Sequence, residues 1–128
     1  MNLEFKKRWI ENFANNVEKD FIVNNVYDDC SFVWHIFSFD KISKSRYFSG
    51  IDAMKKYDQV NKKNALVYLY FDEKEVPINN KFLSANQLFK YYEVYVYPQD
   101  YSWCYIKTHE CDKDNIDYLG PYFIERTM

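Results

Sequence analysis

The sequence predicts an α+β fold: a single mixed or antiparallel sheet of about four to five strands, with three helices packed on it and a C-terminal hairpin. Three observations support this prediction. Residues 3–18 carry a large apolar side chain at every fourth position, which is typical of an amphipathic helix. Residues 31–39 and 64–72 are rich in aromatic and β-branched side chains, which indicates strands. Residues 92–110 contain two strand-like runs around a short turn, and such a hairpin must be antiparallel.

The three predicted helices rest on periodicity and on capping residues. The apolar face of the first helix should pack on the sheet, and its members are Phe5, Trp9, Phe13 and Val17. The second helix is expected from about residue 50 to 60, because Ser49 and Asp52 resemble a capping box at its start. The third should follow Ser84, which forms a capping box with Gln87.

The register of the hairpin decides which side chains share a face. A three-residue loop at 98–100 would place Tyr97 opposite Tyr101. One face then carries Val94, Val96, Cys104 and Ile106, and the other carries Tyr95, Tyr97, Trp103 and Tyr105. If helices cover only one face of the sheet, the four aromatic side chains form an open surface. If helices cover both faces, these side chains belong to the core. A last short strand is expected within 120–126.

Composition limits the classes of function. The 128 residues suit one domain, 1–128, and the net charge of -2 gives no basic face for nucleic acid. No apolar run reaches the roughly 20 residues that span a membrane, and the N-terminal residues do not form a signal peptide, so a cytoplasmic protein is expected. The glycine-rich loops that hold phosphates are missing, so we expect no cofactor.

Aromatic residues make up 21% of the chain, with 13 Tyr and 11 Phe. One interpretation is codon bias in an AT-rich genome, since Asn, Lys and Ile are also plentiful. The other is a tyrosine-rich binding surface, because tyrosine gives a large contact area at low entropic cost. The binding candidates are Trp34, Tyr95, Tyr97, Trp103, Tyr105 and Tyr122.

The candidate catalytic residues are His35, His109 and Glu110. A histidine beside a carboxylate can act as a general acid or base, because its pKa lies near neutral pH. The two histidines would be neighbours if their strands pair. The alternative is structural: His109 at a strand end bonded across the sheet, and His35 half-buried and bonded to the backbone. We expect no metal site, because Cys104, His109 and Cys111 lack zinc-ligand spacing and the acidic loop 112–117 lacks the pattern of a calcium loop.

Three short motifs carry a family resemblance: "WHIFS" at 34–38, "YIKTHE" at 105–110 and "GPYF" at 120–123. With them the chain resembles a family of small bacterial proteins, the domain of unknown function numbered four-two-seven-five. The matching residues are Trp34, His35, Phe37, Thr108, His109, Glu110, Gly120, Pro121 and Tyr122. The resemblance implies a single cytoplasmic α+β domain and assigns no catalytic residue.

Two functions remain after these exclusions. The first is a non-enzymatic module that binds another protein, as immunity proteins and antitoxins do, and it makes the fewer demands on the sequence. The second is an enzyme or small-ligand-binding protein that uses His35, His109 and Glu110. The sequence therefore predicts a protein partner, with no nucleic acid, membrane or cofactor.

Overall fold

The computed structural model describes residues 1–126 and contains one antiparallel six-stranded sheet. The helices are α1 (Leu3–Phe13), α2 (Lys19–Asn25), α3 (His35–Ser38), α4 (Gly50–Gln59) and α5 (Ala85–Leu88), with a short 3₁₀ turn at Lys44–Arg46. The strands are β1 (Tyr47–Ser49), β2 (Ala65–Leu69), β3 (Glu75–Pro77), β4 (Val94–Pro98), β5 (Trp103–Lys107) and β6 (Tyr122–Glu125). In residues 1–126, no helix is long and apolar enough to span a bilayer.

The strand order is β1-β6-β5-β4-β2-β3, so the hairpin β4–β5 forms the centre of the sheet. The edge strands β1 and β3 have only three residues each. Short edges offer few free backbone groups, which limits pairing with other chains.

Helices cover both faces of the sheet. One core lies between the sheet and α1, α2 and α3, and it contains the predicted apolar face Phe5, Trp9 and Phe13. Phe5 stacks on Tyr68 with ring centroids 4.2 Å apart, and the indole N–H of Trp9 donates to the Cys104 thiol at 3.3 Å. The other core lies between the sheet and α4 and α5.

The predicted class is confirmed as α+β with a single antiparallel sheet, but the element counts were too low. The structure has six strands and five helices rather than four to five strands and three helices. The helices at Gly50 and after Ser84, the hairpin and the last strand are all present, and the Ser84–Gln87 capping box forms as predicted. The predicted helix 3–18 ends at Phe13, and α2 starts separately at Lys19.

The predicted strand 31–39 was wrong, because this segment is a loop followed by α3. Its backbone hydrogen bonds are local, such as Phe37 N–H to Trp34 O at 3.0 Å and Phe39 N–H to His35 O at 2.9 Å. The buried members are Val33, Trp34, Ile36 and Phe37. This spacing follows a helical period rather than the alternation of a strand.

The predicted hairpin register was also wrong. Tyr95 pairs with Ile106 and Val96 pairs with Tyr105, because the loop between Pro98 and Trp103 has one residue more than expected. Tyr95 and Tyr97 therefore enter the core under α1, while Trp103 and Tyr105 enter the core under α4.

The open aromatic face does not exist in this fold. All six predicted binding residues are buried: Trp34, Tyr95, Tyr97, Trp103, Tyr105 and Tyr122. The physical reason is that helices pack on both faces of the sheet, so aromatic side chains on either face belong to a core. A partner would have to bind elsewhere on the molecule.

Candidate functional site

The centre of the candidate site is Glu93, a carboxylate with 0% exposure at the start of β4. Its Oε1 accepts hydrogen bonds from the indole N–H of Trp34 at 3.1 Å and from the backbone N–H of His109 at 3.1 Å. The same oxygen lies 2.8 Å from His109 Nδ1, and Oε2 accepts from the Tyr95 hydroxyl at 2.6 Å. A buried carboxylate is tolerated when it is bonded in this way. Glu93 thereby joins the loop before α3 to the ends of β4 and β5.

His109 lies between two carboxylates. Its Nδ1 faces Glu93, and its Nε2 lies 3.1 Å from Oε1 of Glu110. The hydrogen bond that His109 donates to Glu93 raises the pKa of His109 above its ordinary value, and burial and the charge of Lys107 oppose this effect. The arrangement therefore favours an imidazolium, with both ring nitrogens engaged.

Aromatic rings enclose the imidazole of His109. Tyr92 stacks on it with centroids 4.9 Å apart and an interplanar angle of 4°. The rings of Phe32 and Trp34 contact it at an angle, with centroids 4.7 and 5.6 Å away and interplanar angles of 52° and 63°. Rings packed in this way fix the orientation of the imidazole.

His35 also lies beside Phe32 and Trp34, but α3 positions it there instead of the strand pairing that we predicted. It is the first residue of α3, and its Nδ1 lies 3.1 Å from the carbonyl oxygen of Asn25. Its ring contacts Phe32 at 5.6 Å and Trp34 at 4.9 Å. Both histidines therefore contact the same two aromatic side chains.

A buried lysine fixes the loop that carries Phe32 and Trp34. The Nζ of Lys6, on α1, donates to the carbonyl oxygens of Val26 at 2.7 Å, Asp28 at 3.0 Å and Ser31 at 2.8 Å. All three ammonium N–H groups are thus used. Burial lowers the pKa of Lys6, against the opposing charges of nearby acidic residues.

A second buried lysine fixes Tyr92. The Nζ of Lys107, the last residue of β5, donates to the carbonyl oxygens of Tyr91 at 2.9 Å and Tyr92 at 3.1 Å. These bonds hold the turn before β4, and the turn holds the Tyr92 ring against His109. Burial lowers the pKa of Lys107 as well.

Exposed aromatic rings extend from His109 in both directions. Successive centroids are 4.9 Å apart for Phe71–Tyr92, 4.7 Å for His109–Phe32 and 5.4 Å for His35–Phe39. Phe71 is 73% exposed, Phe39 54% and Tyr92 48%. We call this surface the aromatic band, and its members are Phe71, Tyr92, His109, Phe32, His35 and Phe39.

The third sequence motif, at 120–123, packs next to the site against Thr108 and α3. The hydroxyl of Thr108 donates to the carbonyl oxygen of Leu119 at 2.7 Å, next to Gly120. A Cβ on Gly120 would lie 3.1 Å from the Thr108 side chain, and the φ of Gly120 is +126°, a conformation that favours glycine. Tyr122 then stacks on Phe37 of α3 at 4.3 Å. The three motifs therefore meet at one side of the sheet.

The geometry limits the chemistry of His109. Nδ1 and Nε2 each face a carboxylate, so proton exchange between His109 and a substrate would require the exposed side chain of Glu110 to leave Nε2. Among residues 1–126, no three His, Cys, Asp or Glu side chains lie together as metal ligands. The candidate catalytic residues His35, His109 and Glu110 are thus brought to one surface, where His109 is stacked on Tyr92 and faces a carboxylate at each ring nitrogen.

Sequence reasoning missed Glu93. Glu93 could have been identified from its position, because Glu93, Tyr95 and Tyr97 are alternate residues of one extended segment and must point the same way. A carboxylate that enters a core with two aromatic residues has to find donors there. Those donors come from Trp34, 59 residues away, and from His109, 16 residues away.

The fold and site define a small α+β domain in which an antiparallel sheet, covered on both faces, supports a histidine held between two glutamates. The chain belongs to the family described as Domain of unknown function (DUF4275), whose model matches residues 2–123. No curated protein and no solved structure matches the chain.

Proposed function

We propose that this protein is a non-enzymatic protein-binding module of the immunity or antitoxin type, and that its partner binds the aromatic band. The observation that carries the proposal is the continuous run of rings from Phe71 to Phe39, three of which are about half exposed or more. Contiguous exposed apolar surface is uncommon on monomers and often marks an interface. Aromatic side chains also dominate the energetics of protein interfaces.

The band is preorganised, which favours binding. Lys6 ties down the loop under Phe32, Lys107 ties down the turn under Tyr92, and Glu93 joins the two. A surface whose side chains are already ordered loses less conformational entropy when a partner docks. The band is therefore better suited to recognition than exposed rings on a loose loop.

The immunity or antitoxin class is supported by size and charge. A chain of 128 residues is large enough to mask a site on another protein, and its net charge of -2 suits a partner with a basic surface. Masking needs contact area and complementary charge, and it needs no reaction centre. His109, whose two ring nitrogens are both engaged by carboxylates, fits a binding surface better than a turnover site.

The proposal is tested by capture from a lysate of the native host, with wild-type protein and two variants as bait. Phe71→Ser removes the most exposed ring of the band. Tyr118→Ser is the matched control, because Tyr118 is also an exposed aromatic residue but lies in the 112–120 loop. We expect Phe71→Ser to weaken capture of a specific protein by more than about fivefold, as truncation of an interface anchor does, and Tyr118→Ser to leave it unchanged.

The captured protein also tests the class. Its expression alone should arrest growth, and co-expression of the wild-type chain, but not of Phe71→Ser, should restore growth. Equal capture by wild type and Phe71→Ser would overturn the proposal that the band is the interface. A captured protein that leaves growth unaffected would remove the immunity or antitoxin class and keep the binding module.

A second candidate function is a small-ligand or catalytic site at His35, His109 and Glu110. One observation favours it: a histidine bonded to a buried carboxylate is also the arrangement of many general acids. A host metabolite fraction is added to the wild type and to His109→Gln, and NMR follows His109 Cε1–H in the first protein and the Phe39 ring signals in the second. A shift in the wild type without a shift in the variant would support this alternative over protein binding.

A further inference from the structure

Glu110 differs from Glu93 in the same site, because its side chain is 41% exposed whereas Glu93 is fully buried. Oε1 of Glu110 takes the contact with His109 Nε2, and Oε2 makes no hydrogen bond or ion pair within residues 1–126. Glu110 therefore presents an accessible carboxylate beside His109, which stacks on the exposed ring of Tyr92.

The contact between Glu110 and His109 depends on the proton at Nε2, whereas the contact between the buried Glu93 and His109 depends on the proton at Nδ1. A neutral imidazole with its proton on Nδ1 still donates to Glu93. Nε2 would then carry a lone pair facing the Glu110 carboxylate, which is unfavourable. The charged groups that act on this ring are Glu93 directly before β4, Lys107 on β5 and Glu110 beyond it. Tyr92 stacks on the ring, and Tyr70 and His35 contact its neighbours Tyr92 and Trp34. Of these, Glu110 is the group that loses its partner when His109 loses its proton.

Exposed residues of both charges lie near the band, and Oε2 of Glu110 is the carboxylate oxygen beside His109 that has no bond within residues 1–126. Exposed acidic residues lie next to two of its rings: Asp72 and Glu73 directly follow Phe71, and Asp28 and Asp29 precede Phe32. The buried cations Lys6 and Lys107 are committed to carbonyl oxygens, and the N-terminal ammonium pairs with Glu73 at 2.9 Å. Exposed bases lie near the band as well: Lys74 follows Glu73, Lys41 lies over the ring of Phe21 at 4.9 Å, and Lys90 lies over the ring of Tyr91 at 5.6 Å.

We infer that the partner presents a cationic side chain, an arginine guanidinium, to the Glu110 carboxylate and the adjoining rings of the aromatic band. This inference rests on the proposed function and names the chemistry of its partner. A guanidinium stacks on aromatic faces and binds a carboxylate through two N–H groups, so one side chain satisfies both features. In the complex the guanidinium replaces His109 as the partner of Glu110, which makes recognition stronger when the imidazole is neutral.

The test uses a probe pair rather than the unidentified partner. N-acetyl-arginine methylamide and its neutral isostere N-acetyl-citrulline methylamide are titrated into the full chain, and NMR follows the Glu110 carboxyl carbon and His109 Cε1–H. We expect only the arginine probe to shift both signals saturably. Its binding should be tighter at a pH above the titration midpoint of His109 than at a pH below it. Glu110→Gln should weaken its binding about two- to fivefold, the range for an exposed ion pair, while Glu125→Gln, which alters the exposed partner of Lys56, should have no effect.

Equal shifts from the arginine and citrulline probes, or shifts unchanged by Glu110→Gln, would overturn the inference. The capture experiment separates this failure from failure of the proposed function. If Phe71→Ser weakens capture and Glu110→Gln does not, the band is the interface and the arginine assignment is wrong. If neither variant weakens capture, the proposed function fails as well.

Discussion

The two faces of the sheet are built from the same kinds of residue, but the face under α1–α3 also encloses a buried carboxylate, Glu93. On the face under α1–α3, the Tyr95 hydroxyl, the Trp34 indole and His109 all bond to Glu93. On the face under α4 and α5, the hydroxyl of Tyr105 is buried and finds no hydrogen-bond partner within residues 1–126. Neither face is uniform, because the buried hydroxyl of Tyr97 on the first face also has no partner within residues 1–126, while that of Tyr57 on the second donates to the carbonyl oxygen of Phe82. What sets the first face apart is the buried carboxylate of Glu93, whose network continues to the surface at His109.

The largest expected effect is the loss of stability when a large buried ring is removed from either face. Trp9→Ala on the first face and Phe123→Ala on the second each remove a large buried ring, and each should lower the free energy of unfolding by roughly 3–5 kcal/mol. Chemical denaturation measures both, with Leu3→Ala as an exposed control. A denaturation midpoint unchanged by either variant would show that the corresponding core is not as described.

A smaller loss of stability should distinguish a hydrogen-bonded tyrosine hydroxyl on the first face from an unbonded one on the second. Tyr95→Phe removes a hydrogen bond to a buried carboxylate and should cost roughly 1.5–3 kcal/mol. Tyr105→Phe removes a hydroxyl that has no partner among the described residues, so it should be neutral or slightly stabilising. The two substitutions delete the same atom at equally buried sites. Equal losses in denaturation would contradict the different hydrogen bonding of these two hydroxyls.

The smallest effect is the pH dependence of the first face. The pKa of His109 is raised in the folded state, so folding binds its proton more tightly than the unfolded chain does. This stabilisation is complete below the ordinary histidine pKa of about 6.5 and is lost as pH rises through the folded-state value. We expect thermal stability to decline over that range in the wild type and to decline less in His109→Gln. The same decline in both proteins would assign the pH dependence to another group.

The sequence was sufficient for elements whose signal is local. The spacing of Phe5, Trp9 and Phe13 predicted α1, and the Ser84–Gln87 box predicted α5, because a helix cap and an amphipathic face depend on residues within one or two turns. The edge strands β1 and β3 were missed because three residues are too few to show alternation.

The remaining errors have long-range causes. One additional loop residue, with Tyr101 at φ 55°, changes the register of β4–β5 and moves Trp103 to the opposite face from the one predicted. In the site, the motifs identified Trp34, His109 and Glu110. Glu93 could not be found in the same way, because its partners are brought to it only by the fold.

The ammonium group of Lys6 occupies the position that a bound metal ion holds in many loops, surrounded by carbonyl oxygens of Val26, Asp28 and Ser31. A covalently attached cation cannot be chelated away or exchanged for another ion, so the order of this loop does not depend on the ionic composition of the medium. Because the cation belongs to α1, the loop can open only if the ammonium leaves all three oxygens or the helix leaves the sheet. Amide protons in the 26–34 segment should therefore exchange with solvent at rates close to those of the sheet rather than those of an ordinary surface loop.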